Sequence, residues 1–183
     1  MRRAPAGVLL ACALGANAQY AAAQFQPKSD WEEKQDRLNW KPNQLKLPAW
    51  HKADALIEFQ VSSASAFRFY IDAASLSVAG DGVVRYTLVA RSPSGFENVS
   101  YEGIRCESNT YVVFAHGNDG KWREVPPDWK RIELRDIARW RNVLHADLFC
   151  PAGAIIASAD EGLRALRQGY HPSLRVVPGN PSR

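Results

Sequence analysis

Hydrophobic and polar residues alternate through the middle of the chain. Phe67, Phe69 and Ile71 alternate with Arg68, Tyr70 and Asp72, the period of two that a half-buried strand imposes. Two further β-type runs, residues 75–79 and 83–91, are separated by Gly80-Asp81-Gly82, and Ser92-Pro93-Ser94-Gly95 precedes a run that ends at Cys106. Glycine tolerates the positive φ that hairpin turns require, so three hairpin-linked strands are expected here. Residues 56–61 (LIEFQV) read as a strand before them. After them come residues 110–116, the turn Gly117-Asn118-Asp119-Gly120, residues 121–124, and a short run 129–132 beyond Pro126-Pro127-Asp128. Even spacing and short turns predict antiparallel pairing between neighbours.

The period then lengthens. Ile137, Trp140, Leu144 and Leu148 recur at helical spacing and stop before Pro151. Ser158-Ala159-Asp160-Glu161 is a capping box opening a second helix over 159–168, with Leu163 and Leu166 inward and Gly169 as its stop. Strands followed by helices predict an α+β fold: a single antiparallel, largely meander sheet with two C-terminal helices on one face or end.

Outside this domain (residues 56–172) the pattern dissolves. Met1-Arg2-Arg3 is a basic start, residues 6–16 are apolar, and Ala16-Asn17-Ala18 and Ala21-Ala22-Ala23 fit small-residue cleavage sites. Residues 1–23 therefore read as a secretory signal peptide, too short to span a bilayer. Leu10-Ala11-Cys12 resembles a lipoprotein cleavage box but has few residues before it, so lipidation at Cys12 is the lesser expectation. Residues 24–55 form a polar arm carrying Trp31, Trp40 and Trp50, expected to dock these rings on the domain, with an aromatic-ligand or glycan contact as the alternative, and residues 173–183, with Pro178 and Pro181, form a flexible tail.

The 183 residues carry 23 basic and 19 acidic side chains, a net charge of +4. Removal of Arg2 and Arg3 with the leader takes this to +2, too mild for nucleic acid, which calls for a basic stripe. Cleavage would also leave two cysteines, Cys106 and Cys150. An even pair in an exported chain reads most simply as a disulfide. A metal pair or two reactive thiols are the alternatives, without C-x-x-C spacing or a nearby histidine in zinc spacing to favour them.

Catalytic patterns are sparse. His51, His116, His145 and His171 are scattered, and neither a G-x-S-x-G elbow nor an H-E-x-x-H pair occurs. No cofactor or metal is expected. One cluster stands out on the polar face of the sheet. Arg68, Tyr70 and Asp72 share a face of their strand, Arg85, Thr87 and Arg91 share one of theirs, and Glu102 or Arg105 joins them according to register. This reads as a solvated face with cross-strand ion pairs, or else as an arginine-lined groove for a carboxylate or phosphate.

Residues 67–72 (FRFYID), 86–89 (YTLV), 97–106 (ENVSYEGIRC) and 149–151 (FCP) resemble a family of exported bacterial proteins named after a cryptic neisserial protein. The likeness covers about residues 30–172 and is most specific over 98–106. It implies an exported protein of Gram-negative, mostly β-proteobacterial, envelopes, and it brings no activity, cofactor or catalytic residue. The expected protein is a non-catalytic periplasmic or envelope-associated binding module. Its partner would be an envelope protein or cell-wall component, and the mature chain would have no transmembrane segment. A periplasmic hydrolase using the Arg/Glu face is the alternative.

Overall fold

A computed structural model describes Ser29, Trp31 and residues 45–62, 64–133 and 139–174. The expected leader, the arm before residue 45 apart from Ser29 and Trp31, Ile137 and the tail beyond residue 174 lie outside the described residues.

Eight strands form one antiparallel sheet among the described residues. They are β1 (Leu56–Phe59), β2 (Arg68–Asp72), β3 (Ser77–Val78), β4 (Val83–Arg91), β5 (Glu97–Arg105), β6 (Thr110–Asn118), β7 (Lys121–Glu124) and β8 (Lys130–Arg131). The order is β1-β2-β4-β5-β6-β7, with β3 also on β4 and β8 also on β6. The long strands β4 and β6 thus each carry two short strands along their outward edges. Between them β5 pairs with β4 from Val83↔Arg105 to Arg91↔Glu97 without a slip. Its pairing with β6 shifts between Tyr101 and Glu102, a β-bulge.

Local chemistry sets these limits. The β6–β7 turn closes on Asp119 and Gly120, both at positive φ (48° and 77°), as a two-residue hairpin loop with right-handed strand twist requires. The expected strand over 75–79 shrinks to Ser77–Val78 because the Ser75 hydroxyl, rather than its backbone, accepts the Thr87 N–H at 2.8 Å. The expected strand 56–61 stops at Phe59, whose partner Phe69 sits one residue inside the start of β2.

Two helical segments cover one face of the sheet. The first, α1 (Arg139–Val143), passes directly into a π-helical turn at Leu144–Phe149, where the sequence pattern predicts unbroken α-helix. The wider turn lets Leu148 and Phe149 both enter the core and delivers Cys150 to the end of β5. There Cys150 forms a disulfide with Cys106, the Cα atoms 5.4 Å apart. The second helix, α2 (Ala159–Gln168), begins at its expected cap. Ser158 Oγ accepts the Glu161 N–H, Glu161 reaches back to the N–H of Ala157, and Gly169 ends the helix at φ 79°. Gly162 is the point of closest approach, since a Cβ there would lie 2.7 Å from Ile156 Cδ1.

Both faces of the sheet are buried. The helical face gathers Phe69, Ile71, Tyr86, Leu88 and Ile104 against Leu144, Leu148, Phe149, Ile156 and Leu166. The outer face holds Tyr70, Val83, Val89, Val99, Tyr101 and Phe114. It is closed by residues 45–50 running across it: Leu45 and Leu47 pack on one cluster, and Trp50 packs on the other. Trp122 fixes this strap by donating its indole N–H to the Pro48 carbonyl at 2.9 Å, with its ring 5.3 Å from that of Trp50.

Candidate functional site

The outer face differs from the solvated surface that the alternation implies. Tyr70, Arg85 and Thr87 are buried because the strap, Trp122 and Trp129 close over that side of the sheet. Arg68 and Arg91 flank the Tyr70 ring, 5.5 and 4.9 Å from its centroid. Arg68 is held by Glu58 through its Nε and Nη2, and this bond keeps the Glu58 carboxyl below its ordinary pKa. Arg91 is held by Glu97 at 2.6 and 2.9 Å, and Glu97 in turn lies 3.2 Å from His51. Arg85 lies apart from them, paired with Asp81 at 2.5 and 3.0 Å over the ring of Phe114. Arg105 stacks on Trp129 at 4.5 Å. An anion arriving at Arg68 or Arg91 would have to displace a carboxylate already in place.

Glu102 belongs to the other face. It sits opposite Tyr86 in the β4–β5 ladder, so its side chain points toward the helices, away from Arg68 and Arg85. It is 1% exposed, and four donors satisfy it. Arg141 Nη2 and Ser100 Oγ donate to Oε1 at 2.8 Å each, while Arg141 Nε and the Tyr86 hydroxyl donate to Oε2 at 3.0 and 3.3 Å. Arg141, 8% exposed, reaches down from α1 and lies 3.8 Å from the Tyr111 ring centroid and 4.8 Å from that of Trp140. Burial opposes the Arg141 charge, but the carboxylate of Glu102 outweighs it and the guanidinium pKa rises. Burial first, and the Glu102 charge second, push the Tyr86 phenol well above its ordinary value, so it stays a hydrogen-bond donor.

The periodic pattern puts Trp140 on the inward stripe and leaves its neighbour Arg141 off it. Yet Ile137, Arg141, Leu144 and Leu148 follow a four-three-four spacing at least as regular. An arginine on that stripe is the signal of a buried carboxylate partner.

Beside this pair the helical layer leaves the sheet uncovered. A groove of about 610 Å³ opens there, with Phe69, Leu88 and Ala90 as its apolar lining and Trp140 on the helix side. Phe67 and Phe96, 41% and 65% exposed, also line it. Ser100, Glu102 and Arg141 supply its inner polar groups, and Asn98, His116 and Asn118 are exposed beside them. Register explains the alignment, because Leu88, Ser100 and His116 are successive cross-strand partners on β4, β5 and β6. The volume and the mix of apolar surface with a few fixed polar groups are those of a ligand site.

A second polar chain lies at the end of α2. Ser173 Oγ, the His171 ring and Glu161 are linked at 2.8 and 2.9 Å, an order of residues also found in hydrolase triads. Here the Ser173 backbone N–H also donates to His171 Nδ1, at 3.2 Å. That nitrogen is therefore an acceptor, and Nε2–H donates to Glu161. The contact is a turn two residues long that ties the chain after α2 back to the start of α2. Among the described residues no group of three His, Cys, Asp or Glu side chains could hold a metal ion, and no helix is long and apolar enough to cross a membrane.

No curated protein and no solved structure matches this chain. The model of the CNP1-like family matches residues 19–167. That span contains the whole sheet, both disulfide cysteines, Arg141 and nearly all of α2, and so the chain belongs to the CNP1-like family.

Proposed function

We propose that this protein is an exported, non-catalytic binding module of the bacterial envelope, and that it takes its ligand in the groove beside Glu102 and Arg141. The observation that carries this reading is the saturated ion pair next to an open apolar groove. Glu102 accepts from four donors, so it has no lone pair poised to take a substrate proton, as general-base chemistry requires. The groove beside it still offers exposed aromatic surface, and exposed apolar patches bordered by polar groups mark interaction sites. Export is supported by the basic start, the apolar stretch and the small-residue sites of the leader, together with a buried disulfide suited to an oxidising compartment.

Two measurements test the proposal. Intact mass of protein recovered from an envelope fraction is expected to begin at Gln19 or Gln24; retention of Met1 would overturn export. An apolar fluorescent reporter is expected to bind the folded chain and to bind at least about tenfold more weakly to Phe96→Ser, which removes an exposed aromatic contact. Equal binding to both forms would remove the groove from consideration.

A further inference from the structure

A second pocket lies on the outer face, on the opposite side of the sheet from the groove. It holds about 340 Å³ and forms where the strap, through Trp50, passes the end of β2. Lys52, Asp72 and Ala74 also line it. We infer that this pocket binds a small primary amine, with the ammonium group on the Asp72 carboxylate.

The carboxylate is the first ground. Asp72 is 2% exposed, and among the described residues no cation pairs with it. Its Oδ1 accepts the Ala74 N–H at 3.3 Å, long for such a bond, and among the described residues Oδ2 has no partner. Oδ2 is not sealed, as Trp140 Nε1 and the other buried unpaired atoms are, so its remaining surface opens into the pocket that Asp72 lines. Strand alternation agrees. Tyr70 and Asp72 point to the same outer face, where Leu56, opposite Asp72 in the ladder, packs with Tyr70. A buried carboxylate without a counter-charge is costly, and a hydrogen bond from a cation offsets that cost better than one from a neutral donor.

The walls are the second ground. Trp50 sets an indole ring beside the carboxylate, and a ring of this kind attracts a cation and not an anion. Lys52 also carries a positive charge, but it is exposed and makes no ion pair with Asp72 among the described residues. Asp54, exposed two residues further on, offsets that charge, which leaves the Asp72 carboxylate uncompensated. The volume is near the lower end for ligand sites, so the amine is one of a few carbons, held between Trp50 and Ala74.

The test is an amide chemical-shift titration of the full disulfide-bonded chain with three probes of matched size: n-butylammonium, n-butanol and butyrate. The ammonium is expected to give saturable shifts at Lys52, Asp72 and Ala74, with the alcohol at least about tenfold weaker and butyrate without saturation. Asp72→Asn, which keeps an oxygen for the Ala74 N–H, should weaken ammonium binding at least about tenfold. Ala74→Leu, at an exposed wall of the pocket, should do the same and leave the carboxylate in place. Equal binding of ammonium and alcohol, ammonium binding unchanged in either variant, or no saturable ammonium shift would overturn the inference. So would a non-additive loss of stability in Lys52→Met and Asp72→Asn combined, because Lys52 would then be the partner of the carboxylate.

Discussion

Arg141 and Glu102, 39 residues apart in sequence, meet through two hydrogen bonds in the interior, joining the first helical segment to the centre of the sheet. Neither is tolerable there alone. A desolvated carboxylate or guanidinium costs several kcal/mol, which its partner recovers only through good geometry. Arg141→Met or Glu102→Leu is therefore expected to cost about 3–5 kcal/mol in chemical denaturation. The double substitution should cost clearly less than the sum of the two. Additive losses would mean that the pair is not coupled.

The strap depends on a residue without a side chain. A Cβ on Gly117 would lie 2.7 Å from two atoms of the Trp50 ring and 3.0 Å from Val99 Cβ. Gly117→Ala is expected to cost about 1–3 kcal/mol and to release Trp50 from Trp122, seen as a red shift in tryptophan emission. Unchanged stability and emission would show that residues 45–50 do not need this contact.

Cys106 and Cys150 enclose a loop of sequence separation 44. Cys150→Ser is expected to lower stability by about 2–5 kcal/mol, because the bond restricts the unfolded chain and pins the π-helical turn to β5. Ellman titration of the denatured, unreduced chain lacking residues 1–23, and with them Cys12, should find no thiol. Two thiols would contradict the pairing.

His145, beside that bond, carries the pH dependence nearest neutrality. Burial lowers its pKa, and its hydrogen bond to the Cys106 backbone opposes this only in part. The folded state thus prefers the neutral ring. Its contribution is present above the unfolded pKa of about 6.5 and declines as pH falls below it, while the unfolded chain takes up the proton first. His145→Gln should flatten the stability profile between about pH 7 and 5 relative to the parent. An unchanged slope would assign the loss to other groups.

What the sequence disclosed follows from which constraints are local. Turn chemistry and capping act within a few residues, so β4, β7 and α2 stand where the patterns of Gly80-Asp81-Gly82, Asp119-Gly120 and Ser158–Glu161 put them. The disulfide was legible because the expected leader would take Cys12 with it and leave one pair of cysteines. The environment of the polar face was not. Alternation reports two faces but not what covers the second, and the cover comes from residues 45–50, tens of residues before the strands they shield. The partner of Glu102 was hidden for a similar reason: register sends it to the helical face, and only tertiary packing brings Arg141 to it. The groove arises where that helical layer ends, which no periodicity encodes.

The binding claim is most directly tested by amide chemical-shift mapping of the folded chain titrated with an apolar reporter. Shifts are expected to centre on Leu88, Ala90, Ser100, His116 and Trp140, and to vanish in Phe96→Ser while the rest of the spectrum stays in place. Shifts centred instead on Arg68, Tyr70 and Arg91, or no saturable shifts at all, would contradict it.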